Sequence, residues 1–77
     1  MNSTIRDELK EIYSQLDNMK SRLEGIRDDE QEEFDELGDD GQQNKQGQIM
    51  ESNIDCMSEA VEHLESALAN LDTVDTK

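Results

Sequence analysis

Apart from carboxylates, the side chains that most often do chemistry in proteins are scarce in this chain. There is one cysteine, Cys56, and one histidine, His63. They are seven residues apart, which on a helix separates them by about 10 Å along the axis. That is too far for the two side chains to share a metal ion or to act as nucleophile and base. The sequence therefore predicts neither a cysteine–histidine zinc site nor a catalytic thiol.

Carboxylates are concentrated in the segment DDEQEEFDELGDD, residues 28–40, where nine of thirteen residues are acidic. Facing acids in a helical bundle can hold a metal, as in di-iron proteins and in helical nucleotide pyrophosphatases with Glu-x-x-Glu motifs. Glu30 and Glu33 have that spacing, but the second half of the chain offers Val61 and Leu64 where further ligands would be needed. A calcium loop is excluded because Gly38 would occupy a ligand position. We therefore expect no metal, no other cofactor and no catalysis.

The same carboxylates can bind a cationic protein surface. Acidic side chains on two adjacent helices can imitate the phosphates of a nucleic acid duplex and so occupy the cleft of a nucleic-acid-binding protein. The alternative is that an acidic helix face only keeps the protein soluble. The residues predicted to bind a partner are Asp28, Asp29, Glu32, Glu33, Asp35, Glu36, Asp39 and Asp40.

The net charge of −14 lies in one part of the chain of 77 residues. Residues 1–27 carry five acids and five bases, whereas residues 28–77 carry sixteen acids and two lysines. Such a surface repels nucleic acid and anionic membranes, so we expect direct binding to neither. The chain has no apolar run long enough for a membrane span or a signal peptide. With its unpaired cysteine, this predicts a cytoplasmic protein, located in the host cytoplasm if a phage encodes it.

Two long helices are predicted from apolar residues that recur at alternating steps of four and three, the pattern of a helix with one apolar stripe. Helix 1 is expected at about 4–37, capped by Ser3 or Thr4, and its stripe begins at Ile5. Beyond Ile26 an eleven-residue skip interrupts this spacing: Phe34 follows Leu23, and Leu37 follows Ile26, by eleven residues. Eleven residues make about three helical turns, so both side chains stay on the same face. A loop at 38–44 follows, in which Gly38 ends helix 1 and Asn44 caps helix 2, expected at about 45–74.

The fold class predicted is all-α: a single domain, 1–77, that forms a two-helix antiparallel hairpin. Each stripe is wider than one neighbouring helix can cover. Tyr13 and Phe34 extend the stripe of helix 1, and Ala60, Ala67 and Val74 extend that of helix 2. We therefore expect a homodimer that closes a four-helix bundle. The residues predicted for the core and the dimer interface are Leu9, Ile12, Tyr13, Leu16, Met19, Leu23, Ile26, Phe34, Leu37, Met50, Ile54, Met57, Val61, Leu64, Leu68 and Leu71.

Two stretches, LDNMKSRLEGIRDDEQEEFDEL and MESNIDCMSEAVEHLESALANLD, carry a resemblance that covers most of the chain. They resemble small uncharacterised acidic helical-hairpin proteins of bacteria, phages and mobile elements. Those proteins share an Arg-Asp-x-Glu-Gln-Glu-x-(Phe/Tyr)-Asp tract, here residues 27–35, and a Leu-Glu-x-Ala repeat, here residues 64–67. The resemblance brings no assigned activity and implies an accessory protein of a phage or mobile element, a class in which small acidic inhibitors of host machinery are frequent.

The function predicted is a non-enzymatic protein-binding module whose acidic surface engages a basic or nucleic-acid-binding host protein. One alternative is a purely structural oligomerisation module with no charged target. A third hypothesis is a metal-dependent enzyme of the all-α nucleotide pyrophosphatase type, which requires a divalent cation.

Overall fold

The computed structural model describes residues 2–74, which form an antiparallel hairpin of two long helices. Helix α1 spans Ser3–Glu36, the short helix α2 spans Gly38–Gln43, and helix α3 spans Lys45–Asp72. The hairpin measures 58 × 15 × 13 Å, and residues 2–74 contain no strand. The all-α prediction is confirmed. In the same range, neither long helix has an apolar stretch sufficient to cross a membrane.

Helix α1 begins one residue earlier than predicted because Asn2 provides its cap. The Asn2 side chain accepts a hydrogen bond of 2.8 Å from the Ile5 backbone N–H, so the predicted cap at Ser3 or Thr4 is wrong. At the other end, the Leu37 N–H bonds to the Phe34 carbonyl at 3.2 Å. Gly38 follows with a φ of 73°, which costs a glycine little and confirms the predicted end of the helix.

The connection between the long helices is helical, so the prediction of a loop at 38–44 is wrong. After the turn at Gly38 the chain forms α2, whose first turn holds Asp39 and Asp40 where a helix dipole favours negative charge. The Gln42 side-chain amide donates back to the Phe34 carbonyl at 3.2 Å and ties α2 to α1. Asn44 accepts from the Gly47 N–H at 2.9 Å, which confirms it as the cap of α3.

Gly47 is buried where the first turn of α3 passes the backbone of α2. A Cβ atom at this position would collide with the Gly41 carbonyl oxygen and would lie 2.6 Å from the Gln42 carbonyl oxygen. Because both neighbours are backbone atoms, no rotamer change could relieve the contact. Gly47 therefore allows the chain to reverse direction within a few residues.

The core is formed by α3 lying along α1. Ile54, Val61 and Leu68 are the buried apolar residues among those described, and they recur every seven residues along α3. They are flanked on α3 by half-buried residues that were predicted for the core: Met50, Met57, Leu64 and Leu71. A heptad of this kind keeps one face of a helix against its neighbour over its whole length.

The face of α1 that contacts α3 contains charged residues as well as apolar ones. Its half-buried residues are Leu9, Leu16, Lys20, Leu23, Glu24, Arg27, Glu30 and Phe34. Glu30 follows Leu23 by seven and Phe34 follows Arg27 by seven, so this face runs on without the predicted eleven-residue skip. Leu37 was expected to rejoin the buried stripe, but it is exposed because α1 has ended and the chain turns at Gly38.

Candidate functional site

The acidic segment, residues 28–40, occupies the last part of α1 and the start of α2, at the closed end of the hairpin. All eight residues predicted to bind a partner are exposed. Helical geometry distributes them around the outer surface of α1, and residues 28–36 extend over about 12 Å of helix axis. The structure therefore brings these carboxylates together on one accessible end of the molecule.

Few of these carboxylates have a partner within the chain. Asp28 Oδ1 accepts from Arg27 Nε at 3.3 Å and lies 3.2 Å from Arg27 Nη2. Asp35 Oδ1 accepts a bond of 3.0 Å from the Gln31 amide. Within residues 2–74, the other carboxylates of the acidic segment form no ion pair, and neither does Lys45, the base that follows them in the sequence. Their charge is therefore left to solvent or to another molecule.

Charges nearer the free ends of the helices are better compensated. Lys20 Nζ lies 3.2 Å from Glu24 Oε1 and 3.8 Å from Glu65 Oε1 of the facing helix. The hydrogen bond to the Glu24 carboxylate is the main cause that raises the pKa of Lys20 above its ordinary value of 10.5. Residues 28–59 hold twelve acids and one base, whereas residues 1–27 and 60–74 together hold eight acids and five bases.

The structure gives the metal hypothesis no ligand set. Glu30 is half-buried against α3 and Glu33 is exposed, so the two side chains do not share one environment. Cys56 and His63 are both exposed on α3. Across residues 2–74, no three His, Cys, Asp or Glu residues are placed to hold an ion together.

A second surface runs along one open side of the hairpin and is apolar. Ile5, Ile12, Met19 and Ile26 recur every seven residues on α1 and remain 43%, 46%, 53% and 58% exposed. On each helix, the residues that come immediately before contact residues in the sequence recur every seven residues and form a column along the helix. In an antiparallel helix pair, these two columns lie on the same side of the pair. On α3 that column contains Asn53, Ala60 and Ala67, and Val74 continues it just beyond the end of the helix. We call the seven apolar residues of the two columns (Ile5, Ile12, Met19, Ile26, Ala60, Ala67 and Val74) the apolar side.

The opposite open side carries mainly charged residues. Its columns contain Lys10, Asp17 and Glu24 on α1 and Glu51, Ser58, Glu65 and Asp72 on α3. The ion pairs of Lys20 with Glu24 and Glu65 lie on this side and confirm the assignment of the columns. The hairpin therefore has one side suited to water and one side that leaves large apolar groups exposed.

A groove of about 330 Å³ lies at the open end, where the start of α1 meets the end of α3. Its lining combines apolar or aromatic side chains with charged ones: Leu9, Tyr13, Leu71 and Val74, and Arg6, Lys10 and Asp72. Its lining contains no histidine, no cysteine and no pair of carboxylates.

Two features of the structure were missed by the sequence reasoning. Lys20 and Arg27 are half-buried on the contact face, as is Glu30, a heptad position that the sequence prediction passed over in favour of the eleven-residue skip. Nothing in the sequence around Gly47 signals the close backbone approach that requires a glycine there.

The comparison with known proteins gives no further guide to this site. A scan of protein-family models, curated proteins and solved structures found no match to the chain.

Proposed function

We propose that this protein is a non-enzymatic binding module that acts as a homodimer and uses the acidic segment to engage a basic or nucleic-acid-binding protein. The observation that carries the proposal is the exposure of eight carboxylates at one end of the hairpin, with Arg27 as their one ion-pair partner among residues 2–74. Clustered like charges cost a small domain stability, and binding an oppositely charged surface removes that cost.

The shape of the acidic end supports nucleic acid mimicry as the mode of binding. The closed end is about 15 Å across, since the whole hairpin measures 58 × 15 × 13 Å, and carboxylates cover its outer surface. A narrow, negatively charged end can enter a cleft that is lined with Lys and Arg to receive phosphates. The same charge repels nucleic acid itself and anionic membranes, so a protein is the proposed partner.

Self-association is supported by the apolar side. Four large apolar side chains of α1 are about half exposed in the single chain, although the residues on the opposite side are mainly charged. A second hairpin would cover these side chains and complete a four-helix bundle. The resemblance to small acidic proteins of phages and mobile elements supports a role as an inhibitor of a host protein.

The experiment is a capture from bacterial lysate that compares three forms of the protein. In the first variant the acidic segment loses three charges through Asp29→Asn, Glu32→Gln and Glu36→Gln. In the matched control the open end loses three charges through Asp7→Asn, Glu62→Gln and Asp72→Asn. All six side chains are exposed, and within residues 2–74 none of them takes part in an ion pair.

We expect wild type and the control variant to retain the same nucleic-acid-binding protein and the acidic-segment variant to lose it. Salt screening predicts release between about 0.05 and 0.5 M, and duplex DNA or RNA should displace the retained protein. Equal capture by all three forms, or a complex that salt does not weaken, would contradict the proposal.

A purely structural oligomerisation module is the second candidate, and the apolar side is the observation that favours it. In this case the acidic segment only confers solubility. The module would dimerise normally, retain no basic protein, and show the same lysate profile before and after neutralisation of the acidic segment.

A further inference from the structure

We infer that the second copy docks on the apolar side with its α1 antiparallel to α1, in a register that places Ile5 opposite Ile26 and Ile12 opposite Met19. The inference rests on the proposed self-association and deepens it, because it names the surface, the orientation and the register. Three observations carry it: the spacing of the apolar residues, two unpaired charges beside them, and small residues on α3.

The apolar residues allow one antiparallel register that covers them all. When the numbers of facing residues add to 31, both Ile5–Ile26 and Ile12–Met19 contacts form twice by symmetry. A shift of one heptad in one direction places Ile12 opposite itself and leaves Ile26 without a partner. A shift in the other direction places Ile5 opposite the carboxylate of Glu33. A docked helix pair fixes its register by matching such residues.

The charges beside this line favour the same register. Glu8 and Arg22 lie in the column next to the apolar residues, on the outer side of α1. Both are exposed, and within residues 2–74 neither forms an ion pair. In the proposed register Glu8 lies within one residue, about 1.5 Å along the axis, of the height of Arg22 of the second copy, which the two long side chains can span, and the pair forms twice. Complementary flanking charges of this kind select orientation and register in helical assemblies.

The corresponding column of α3 carries small side chains where the dimer brings α3 beside α3. The groove residues Leu9 and Leu71 and the Lys20–Glu65 pair show that Ala67 lies at about the same height as Gln15, near the proposed twofold axis. In this register Ala67 meets its own copy and Ala60 faces Val74. Alanine at such positions allows two helices to approach closely.

The register leaves both acidic segments uncovered. Residue 28 would face residue 3 of the second copy, so residues 29–44 extend beyond the overlap. The dimer would therefore present an acidic end at each extremity, pointing in opposite directions. One assembly could then engage two basic partners, or two clefts of one symmetric partner.

Charge exchange tests the register without touching the core. We expect Glu8→Arg and Arg22→Glu each to weaken the dimer roughly tenfold, since each turns two attractive pairs into repulsive ones. The double variant should restore the wild-type dissociation constant. An equimolar mixture of the two single variants should form the mixed dimer preferentially, because every facing pair is then opposite in sign. Circular dichroism should show that all variants keep the same helix content.

Cross-linking provides the independent measurement. In a Cys56→Ser background, Gln15→Cys should link to itself through a short bismaleimide, because the residue lies beside the proposed axis. Ser14→Cys, which is equally exposed but points to the charged side, should not. A dimer that ignores both charge exchanges and fails to cross-link at position 15 overturns the register but leaves self-association standing. A monomer at all concentrations overturns both, whereas capture through the acidic segment is measured separately.

Discussion

The two ends of the hairpin are built from the same helices but present opposite surfaces. The open end, residues 3–27 and 60–74, has a net charge of −3 and exposes Ile5, Ile12, Met19 and Ile26. The closed end, residues 28–59, has a net charge of −11, and its turn is held by the hydrogen bonds that the Gln42 side chain donates and the Asn44 side chain accepts. Apolar exposure without strong like charge suits a second copy, whereas dense charge on a fixed turn suits a cationic partner.

This difference indicates that association and partner binding are separated along the length of one small domain. Dense negative charge at the open end would oppose dimerisation, and large apolar residues on the acidic segment would invite aggregation. Substitutions at the open end should therefore weaken association without affecting partner binding, and substitutions in the acidic segment should do the reverse.

The largest expected effect is the loss of the dimer on Met19→Glu. The side chain is 53% exposed in the single chain and would be buried opposite Ile12 of the second copy. Burying an unpaired carboxylate twice per dimer should raise the dimer dissociation constant at least about 100-fold. Ile49→Glu is the control, because Ile49 is 51% exposed but lies at the closed end, outside the proposed overlap of the two copies. Sedimentation of both variants gives the comparison, and equal weakening by both would contradict the account.

Leu68→Ala should destabilise the fold itself. Leu68 is 6% exposed, and truncation leaves a cavity between the long helices. We expect a loss of about 3 kcal/mol in the free energy of unfolding, measured by urea denaturation at a fixed protein concentration. Ile49→Ala is the control, since Ile49 is 51% exposed, lies outside the proposed dimer overlap and should cost far less.

Gly47→Ala should weaken the turn at the closed end. The added Cβ would collide with backbone carbonyls of Gly41 and Gln42, so the first turn of α3 must shift. We expect a loss of about 2 kcal/mol in the free energy of unfolding. Gly25→Ala is the matched control, because nothing lies within 4 Å of its added Cβ and alanine favours a helix by about 0.5–1 kcal/mol. If both variants changed the free energy of unfolding in the same direction, the close backbone approach at Gly47 would be wrong.

The smallest effect concerns Lys20, which pairs with Glu24 on its own helix and joins α1 to α3 through its pair with Glu65. Because the hydrogen bond to Glu24 raises its pKa in the folded state, its stabilising contribution is fully present below pH 10.5 and is lost as the pH rises through the raised pKa. Wild type should therefore exceed Lys20→Met in stability at pH 7 by more than it does at pH 11. Thermal denaturation at both pH values measures the difference, and an unchanged gap would rule out this linkage.

The helical hairpin was predictable because the heptad residues from Leu9 to Leu23 and from Met50 to Leu71 repeat without interruption. Asn44 and Gly38 were predictable from local preferences at helix ends: an asparagine side chain can cap the start of a helix, and glycine, which has no side chain, tolerates the positive φ that ends one. The exposed acidic segment followed from its composition.

The remaining features depend on contacts between distant residues. The skip is predicted because the next heptad positions hold Glu30 and Glu33, yet Glu30 is half-buried on the contact face. Arg27 is half-buried there as well, since its long stem can cover apolar surface. The helix at Gly38–Gln43 forms where Gly38 adopts a positive φ and Gln42 bonds to Phe34, and neither is visible in the composition GDDGQQ. The requirement for Gly47 arises only once α2 lies against α3.

The most direct test of the separation between the two ends is the mass of the wild-type protein in solution. Sedimentation equilibrium at physiological salt should give twice the chain mass of 8.8 kDa, and the variant with a neutralised acidic segment should give the same value. A mass of one chain for the wild type, or a mass that changes when the acidic segment is neutralised, would contradict the assignment of self-association to the open end.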